Sequence, residues 1–247
     1  MSDLWPTWWE RWDRFQQAYV PCREPQFDLI IDYLALVRRD EPLRMLDLCC
    51  GPGSAGSRLL RSRPAARVVA VDHDPWLLEL GRRAAPGADE IVWIDTDLHG
   101  DWPRALFGWR LDAVVATTAM QWFTEDEVAR IYRDVASLLV SGGVFLISDL
   151  MPAGSARARA LAAAVTARRR DRGEHWADFW ADARAEPAFA ALLEERDRRF
   201  AERYPRAARP LEFHVTALRA AGFADVTEIW RHGENAVLLA ENDAAFG

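Results

Sequence analysis

The sequence predicts an α/β fold, a parallel sheet covered by helices on both faces, on three observations. Short, continuously apolar runs recur from Leu43 onward, long enough for strands and without the alternation of a half-exposed sheet. Helix-length segments separate them, as parallel pairing requires. The last two runs are joined by too few residues for a helix and must pair antiparallel.

The elements follow in order. Trp5, Trp8, Trp12, Phe15 and Tyr19 recur at helical steps with charged residues between them, giving a first helix broken at Pro21 and Pro25. A second amphipathic helix turns Phe27, Ile30, Ile31, Leu34 and Val37 to one side. LRMLDL (43–48) reads as the first strand, followed by a glycine loop and a helix near Ala55–Ser62. ARVVAVD (66–72) is the second strand, and Pro75 suits the first turn of the helix PWLLELGRRA. EIVWID (90–95), LDAVVAT (111–117) and GVFLISD (143–149) follow as strands, the last preceded by a helix Glu125–Leu139 and an SGG turn at 141–143. Residues 152–210 carry no strand signal and read as a cap of two or three helices. A final helix, LEFHVTALRAAGF, leads into DVTEIW (225–230) and AVLLAEN (236–242). The organisation expected is one domain over 1–247, with an N-terminal helical lid over 1–40 and a cap inserted at 152–210.

Composition removes several function classes. The net charge of −7 disfavours a nucleic-acid backbone as partner. All 31 basic side chains are arginine, which excludes lysine bases and the lysine of a phosphate-binding P-loop. Three cysteines make no disulfide framework, so a reducing cytoplasm is expected. The opening MSDLWPTWWERW lacks an apolar core, so neither a signal peptide nor a membrane partner is expected. The arginine runs at 168–172 and 196–209 are interleaved with acids and read as solvated helix faces.

The chemistry concentrates in LDLCCGPGSAG, 46–56, a literal G-x-G-x-x-G. Glycines after a first strand let a backbone approach a ligand and open a helix N-terminus. Here Asp47 precedes them, where a carboxylate would oppose pyrophosphate and favour a cation. Asp72 ends the second strand, the place of a carboxylate that grips ribose hydroxyls. Asp97, just past the third strand, can accept an adenine amine while Leu98 offers a backbone donor. Asp95 competes for that place, and Asp74 before Pro75 is the better helix N-cap, which frees Asp72. Three acids after three successive strands describe a cationic nucleoside better than a dinucleotide. Cys49 and Cys50 read as small packing residues.

LDLCCGPGS, VAVDHDP, the Asp-Leu after the third strand, LLVSGGVFLISD and the terminal hairpin resemble the motif series of class I S-adenosylmethionine-dependent methyltransferases. The resemblance covers Leu43–Asp149 and Leu211–Asn242. It implies a Rossmann-like seven-stranded sheet of order 3-2-1-4-5-7-6, the last strand antiparallel, with ligands at the carboxyl ends of the strands. It implies S-adenosyl-L-methionine as cofactor, with Asp47 and the Cys49–Gly51 backbone at the methionine amine and Gly53 in the same loop. Asp72 would hold the ribose, Asp97 and Leu98 the adenine, His73 the adenosine, and Thr117 the floor under the methionine. Arg23 and Tyr19, in YVPCRE, would lie over the cofactor, Arg23 pairing its carboxylate.

On the acceptor side, TTAMQWFTEDEV (117–128) lacks the N/D-P-P-[FYW] of amino-methyltransferases and the acidic ligands of metal-dependent ones. Gln121-Trp122 resembles instead the Gln/His-Trp of small-acid methyltransferases, so a small molecule is the expected acceptor and no metal is expected. Gln121, His175 and Tyr19 are the candidates for the transfer itself. Trp122, Trp176, Trp180 and His214 are candidates for the acceptor, His175 and His214 being the histidines that could act as a base. Indoles and arginines in the cap point to an aromatic or carboxylated acceptor. The expected assembly is a monomer or homodimer. A non-methylating binder of the same cofactor, and an NAD(P) oxidoreductase, are the alternative readings.

Overall fold

The computed structural model of the protein describes residues 3–39, 41–170, 174–201 and 207–242. Two helices open the chain, α1 (Leu4–Tyr19) and α2 (Arg23–Leu36). Pro25 falls in the first turn of α2, where the missing N–H costs nothing, so it starts this helix and does not break it. The alternating core follows as β1 (Arg44–Leu48), α3 (Ser54–Ser62), β2 (Arg67–Asp72), α4 (Pro75–Ala84), β3 (Ile91–Asp95), β4 (Leu111–Thr117), α5 (Glu125–Leu138) and β5 (Leu139–Leu150). The cap contributes α6 (Ala156–Arg170), α7 (Trp176–Ala185) and α8 (Ala190–Arg199). The chain then returns through α9 (Leu211–Ala220), β6 (Asp225–His232) and β7 (Asn235–Asn242).

The seven strands hydrogen-bond in the order β3-β2-β1-β4-β5-β7-β6. β1 through β5 pair parallel, and β7 runs antiparallel to both β5 and β6. Two layers of apolar side chains cover the sheet. Phe27, Ile30, Leu34, Leu59 and Leu78 pack on one face, and Ile131, Tyr132, Val135 and Leu218 on the other. A third cluster lies away from the sheet. Trp8, Trp12 and Phe15 of α1 meet Trp76 of α4, Phe179 and Trp180 of α7, and Phe189. The tryptophan stripe of the first helix therefore builds a lid core with the cap and the start of α4.

Two elements differ from expectation. The SGG segment is not a turn between helix and strand, because α5 stops at Leu138 and β5 begins at once. Buried Leu139 already pairs with Leu111, and the next pair is Ala113 with Val144, so Val140–Gly143 bulges out with Gly142 at φ 72°. The arginines of 196–199 are not a uniformly solvated face: Arg196 and Arg199, three residues apart on α8, both turn to the sheet edge. Of the other run, residues 171 and 172 lie outside the described residues, as do 202–206 of the second.

Helix starts are well specified. Asp74 Oδ1 accepts the N–H groups of Trp76 and Leu77 at 3.1 Å, with Pro75 in the first turn of α4. Thr124 and Glu127 form a reciprocal capping box on α5. α4 thus begins directly past β2, and α5 follows β4 after the short segment 118–124, which fixes the loops that line the site.

Candidate functional site

A cavity of about 410 Å³ opens at the carboxyl ends of β1, β2, β3 and β4, roofed by α1, α2, α7 and α8. Its floor is the glycine loop. Cys49 takes φ 55° and Gly51 φ 54°, a left-handed bend that turns the chain from β1 toward α3. A non-glycine residue pays for that conformation by about 1 kcal/mol or more, and Cys49 sits on the cavity wall. Thr118, after β4, is bent likewise at φ 54° and also lines the cavity.

Asp72 fixes the loop from the neighbouring strand. Its Oδ2 accepts Gly51 N–H at 2.8 Å, while Oδ1 accepts His73 N–H at 2.7 Å and Asp74 N–H at 2.8 Å. Burial pushes its pKa above the ordinary carboxylate value, and the charge of Asp74 adds to this against the three N–H donors. Asp97 has the opposite balance. Burial would raise it, but the backbone N–H and ring nitrogen of His99, with His73 nearby, hold it below the usual value. Asp97 and Leu98 face the cavity, whereas Asp95 does not line it and is held by Arg199 at 2.7 Å.

The structure brings Cys49, Gly51, Asp72, His73, Asp97 and Leu98 to one side of the cavity. Thr117, Arg23, Tyr19, Trp122, Trp176 and Trp180 complete the walls. Tyr19 Oη accepts Trp176 N–H at 2.5 Å, which ties α1 to the first turn of α7. Arg23 is buried; its Nη1 meets Asp13 Oδ1 at 2.6 Å and its Nη2 donates to Ser54 Oγ at 3.0 Å.

Five expected residues lie elsewhere. Asp47 is behind the wall, its Oδ2 accepting Gly56 N–H at 2.9 Å from the first turn of α3. Burial raises its pKa to about 7. Gly53 lies off the wall and serves packing: a Cβ there would come within 2.4 Å of the Trp93 ring, and φ is 76°. Gln121 is buried under the loop after β4, where Nε2 donates to Thr118 O at 2.9 Å. His175 precedes α7 with an exposed side chain. His214 is buried against Tyr132 Oη, 2.6 Å from its Nδ1, and burial together with Arg209 lowers its pKa to about 4. Neither histidine lines the cavity, so neither is placed to act as a base there.

Trp12, Thr118, Arg196 and Phe200 also lie on the wall: Trp12 belongs to the helical stripe and Thr118 to the segment after the fourth strand, whereas Arg196 and Phe200 were not expected there. Arg196 Nε donates to Asp74 Oδ2 at 2.5 Å with its guanidinium 4.0 Å from the Trp180 ring centre. Its i, i+3 spacing with Arg199 was the available signal. Arg209 donates to the carbonyls of Met120 and Phe123, which bracket Trp122. Among the described residues no group of three His, Cys, Asp or Glu side chains is arranged to hold a metal ion, and no helix is long and apolar enough to cross a membrane.

Comparison with known proteins adds to the geometry. Residues 45–143 match the model of a family described as a methyltransferase domain. The chain is 31% identical over 142 residues to the trans-aconitate 2-methyltransferase of Azoarcus sp. (strain BH72), covering 58% of this chain and 50% of that protein. It is 33% identical over 116 residues to the enzyme of the same name from Enterobacter sp. (strain 638), covering 47% and 42%. The match thus spans about half the length of these curated relatives. A putative O-methyltransferase from Nostoc punctiforme PCC 73102 superposes with TM-score 0.58 at 19% identity, covering 96% of this chain and 60% of that one. A TehB-like S-adenosylmethionine-dependent methyltransferase from Corynebacterium glutamicum covers 96% of both chains with TM-score 0.52 at 17% identity. The structural likeness carries the fold, and the matched segment contains β1 through α5 with the loop and the three acids. Sheet order, the motif series and the methyltransferase-domain match over residues 45–143 together make the chain similar to the class I S-adenosylmethionine-dependent methyltransferases.

Proposed function

We propose that the protein transfers the methyl group of S-adenosyl-L-methionine to a small organic acceptor in the cytoplasm. The observation that carries this reading is the joint placement of Asp72, Asp97 and Leu98 on one side of a single cavity, and of Thr117 and Trp122 on another. The carboxylates fit the hydroxyl and amine donors of an adenosine: Asp72 is already oriented by three backbone N–H groups, one on Oδ2 and two on Oδ1, which leaves about one lone pair on Oδ2 for a ligand. Gly51 and Cys49 bring bare backbone to the same space.

In this reading Asp72 holds the ribose, Asp97 and Leu98 the adenine, and His73 the edge of the adenosine. Arg23 lies where it can meet the methionine carboxylate, though it shares its charge with Asp13. When bound, S-adenosylmethionine supplies a sulfonium methyl carbon: the acceptor's lone pair forms the new bond as the C–S electron pair returns to sulfur. The protein's contribution is alignment and exclusion of water by the lid. Of the side chains considered for the transfer, Tyr19 reaches the wall and Gln121 and His175 do not. That the curated relatives are named trans-aconitate 2-methyltransferases supports a small-molecule acceptor.

Asp72→Ala is expected to weaken S-adenosylmethionine binding, measured calorimetrically, by about ten- to a hundredfold. Unchanged affinity would sink the assignment. The absence of both histidines from the wall also favours a second reading, a binder that transfers nothing. Tight cofactor binding with no S-adenosylhomocysteine formed from a broad acceptor panel would select it.

A further inference from the structure

Aromatic rings make up much of the cavity wall. Trp12 and Tyr19 of α1, Trp176 and Trp180 of α7, and Trp122 after β4 all contribute to it. Their rings are tilted or edge-on to one another: Tyr19 and Trp176 have centroids 5.9 Å apart at 77°, Trp176 and Trp180 5.9 Å at 57°, and Trp12 and Trp180 6.2 Å at 71°. Each edge-to-face contact covers one ring's face with its neighbour's edge but leaves the neighbour's own faces uncovered by that contact, while Trp180 carries the Arg196 guanidinium on its face. The negative π-faces of such a wall welcome a ring and oppose a carboxylate.

Charge points the same way. The two arginines on the wall are each matched by an acid, Arg23 by Asp13 at 2.6 Å and Arg196 by Asp74 at 2.5 Å. Asp13 is shared with Arg58 at 3.1 Å, and Glu24 closes that group by pairing Arg58 at 2.7 Å. Among the described residues of the wall, Asp72, Asp74 and Asp97 carry −3 and Arg23 and Arg196 carry +2, so without a proton on His73 the lining sums to −1. The methyl donor, with one ammonium, one sulfonium and one carboxylate, carries +1, and the loaded site is neutral. Among the described residues, an acceptor with three carboxylates would meet no wall cation that lacks an acid partner, and it would lose its hydration besides.

We infer that the acceptor is a small, uncharged, planar aromatic molecule held against Trp12, Trp122, Trp176 and Trp180, and not a tricarboxylate of the kind named for the curated relatives. The inference rests on the methyl-transfer reading and deepens it by naming the substrate class. Half-buried Trp176, at the first residue of α7, is the ring best suited to a test, because Trp12 and Trp180 belong to the lid core.

The experiment titrates indole, 2-naphthol, trans-aconitate, citrate and benzylammonium into the protein saturated with S-adenosylhomocysteine, by calorimetry at neutral pH. Indole and 2-naphthol are expected to bind at least about tenfold more tightly than either tricarboxylate. Trp176→Leu should weaken the aromatic probes by about tenfold while leaving S-adenosylhomocysteine affinity within about twofold, which also reports that the variant is folded. Tighter binding of trans-aconitate or of benzylammonium than of indole, no binding of either neutral aromatic, or aromatic affinity unmoved by Trp176→Leu overturns the inference. Failure of the wild-type protein to bind S-adenosylhomocysteine at all would instead strike the methyl-transfer reading.

Discussion

Asp47 is the residue whose sequence signal and structural role part most clearly. An acid before a glycine loop reads as a ligand contact, yet here its carboxylate turns to Gly56 N–H and joins the end of β1 to α3. Sequence spacing fixes where a side chain starts, and the loop's left-handed bends decide which side of the wall it ends on. The consequence is a pH dependence. Burial raises Asp47 from 3.8 to about 7, so the folded protein holds a proton that the unfolded chain has released. A raised folded pKa means that the contribution is complete below about pH 4 and is lost as pH rises through about 7. Asp47→Asn removes this titration. The stability of the natural protein relative to Asp47→Asn should therefore fall between pH 4 and pH 7, by about 4 kcal/mol at most. Denaturant unfolding of both proteins across that range checks the sign, and a difference that is flat or rising would refute it.

At the scale of elements, α8 is fastened to the sheet edge by two arginines of unequal weight. Arg196 reaches Asp74, whose side chain is 4% exposed, whereas Arg199 reaches Asp95 at 38%. Removing the partner of a buried carboxylate leaves it uncompensated, but removing a partner in solvent changes little. Asp74 retains two backbone N–H donors on its other oxygen, which lessens the loss. Arg196→Ala is expected to cost about 2–3 kcal/mol of stability and Arg199→Ala at most about 1 kcal/mol, both read from denaturant midpoints. Equal costs would show that burial of Asp74 does not set the strength of the fastening. The two strand-ending acids were plain in the sequence. Their arginine partners were not, because the sequence distance of 122 residues from Asp74 to Arg196 is closed only by the packing of the cap.

For the whole molecule, the sheet and the lid were legible to different degrees, for a physical reason. Parallel strands buried on both faces leave continuous apolar runs, and β1, β2, β3 and β4 lie within a residue of where those runs placed them. The ordered acids followed, since strand ends are defined once strands are. The lid has no such period. Its core is made of rings from α1, α4, α7 and the turn at Phe189, brought together from four separate stretches, so the helical stripe showed that Trp12 is buried but not against what, and Phe200 gave no local sign. This division has a dynamic consequence. The sheet is bound by continuous ladders, while the lid meets the ligand-bearing loops through contacts such as Trp9 Nε1 to Pro52 O at 3.1 Å and Arg196 to Asp74. A ligand held between loop and lid adds contacts to the lid and none to the central ladders. Amides of α1, α7 and α8 should therefore exchange faster than those of β1 and β4 in the free protein, and should slow by about tenfold or more with S-adenosylhomocysteine bound. Hydrogen-exchange mass spectrometry reads both. Lid amides as protected as the central strands before ligand, or unchanged after it, would mean that lid and sheet open as one unit.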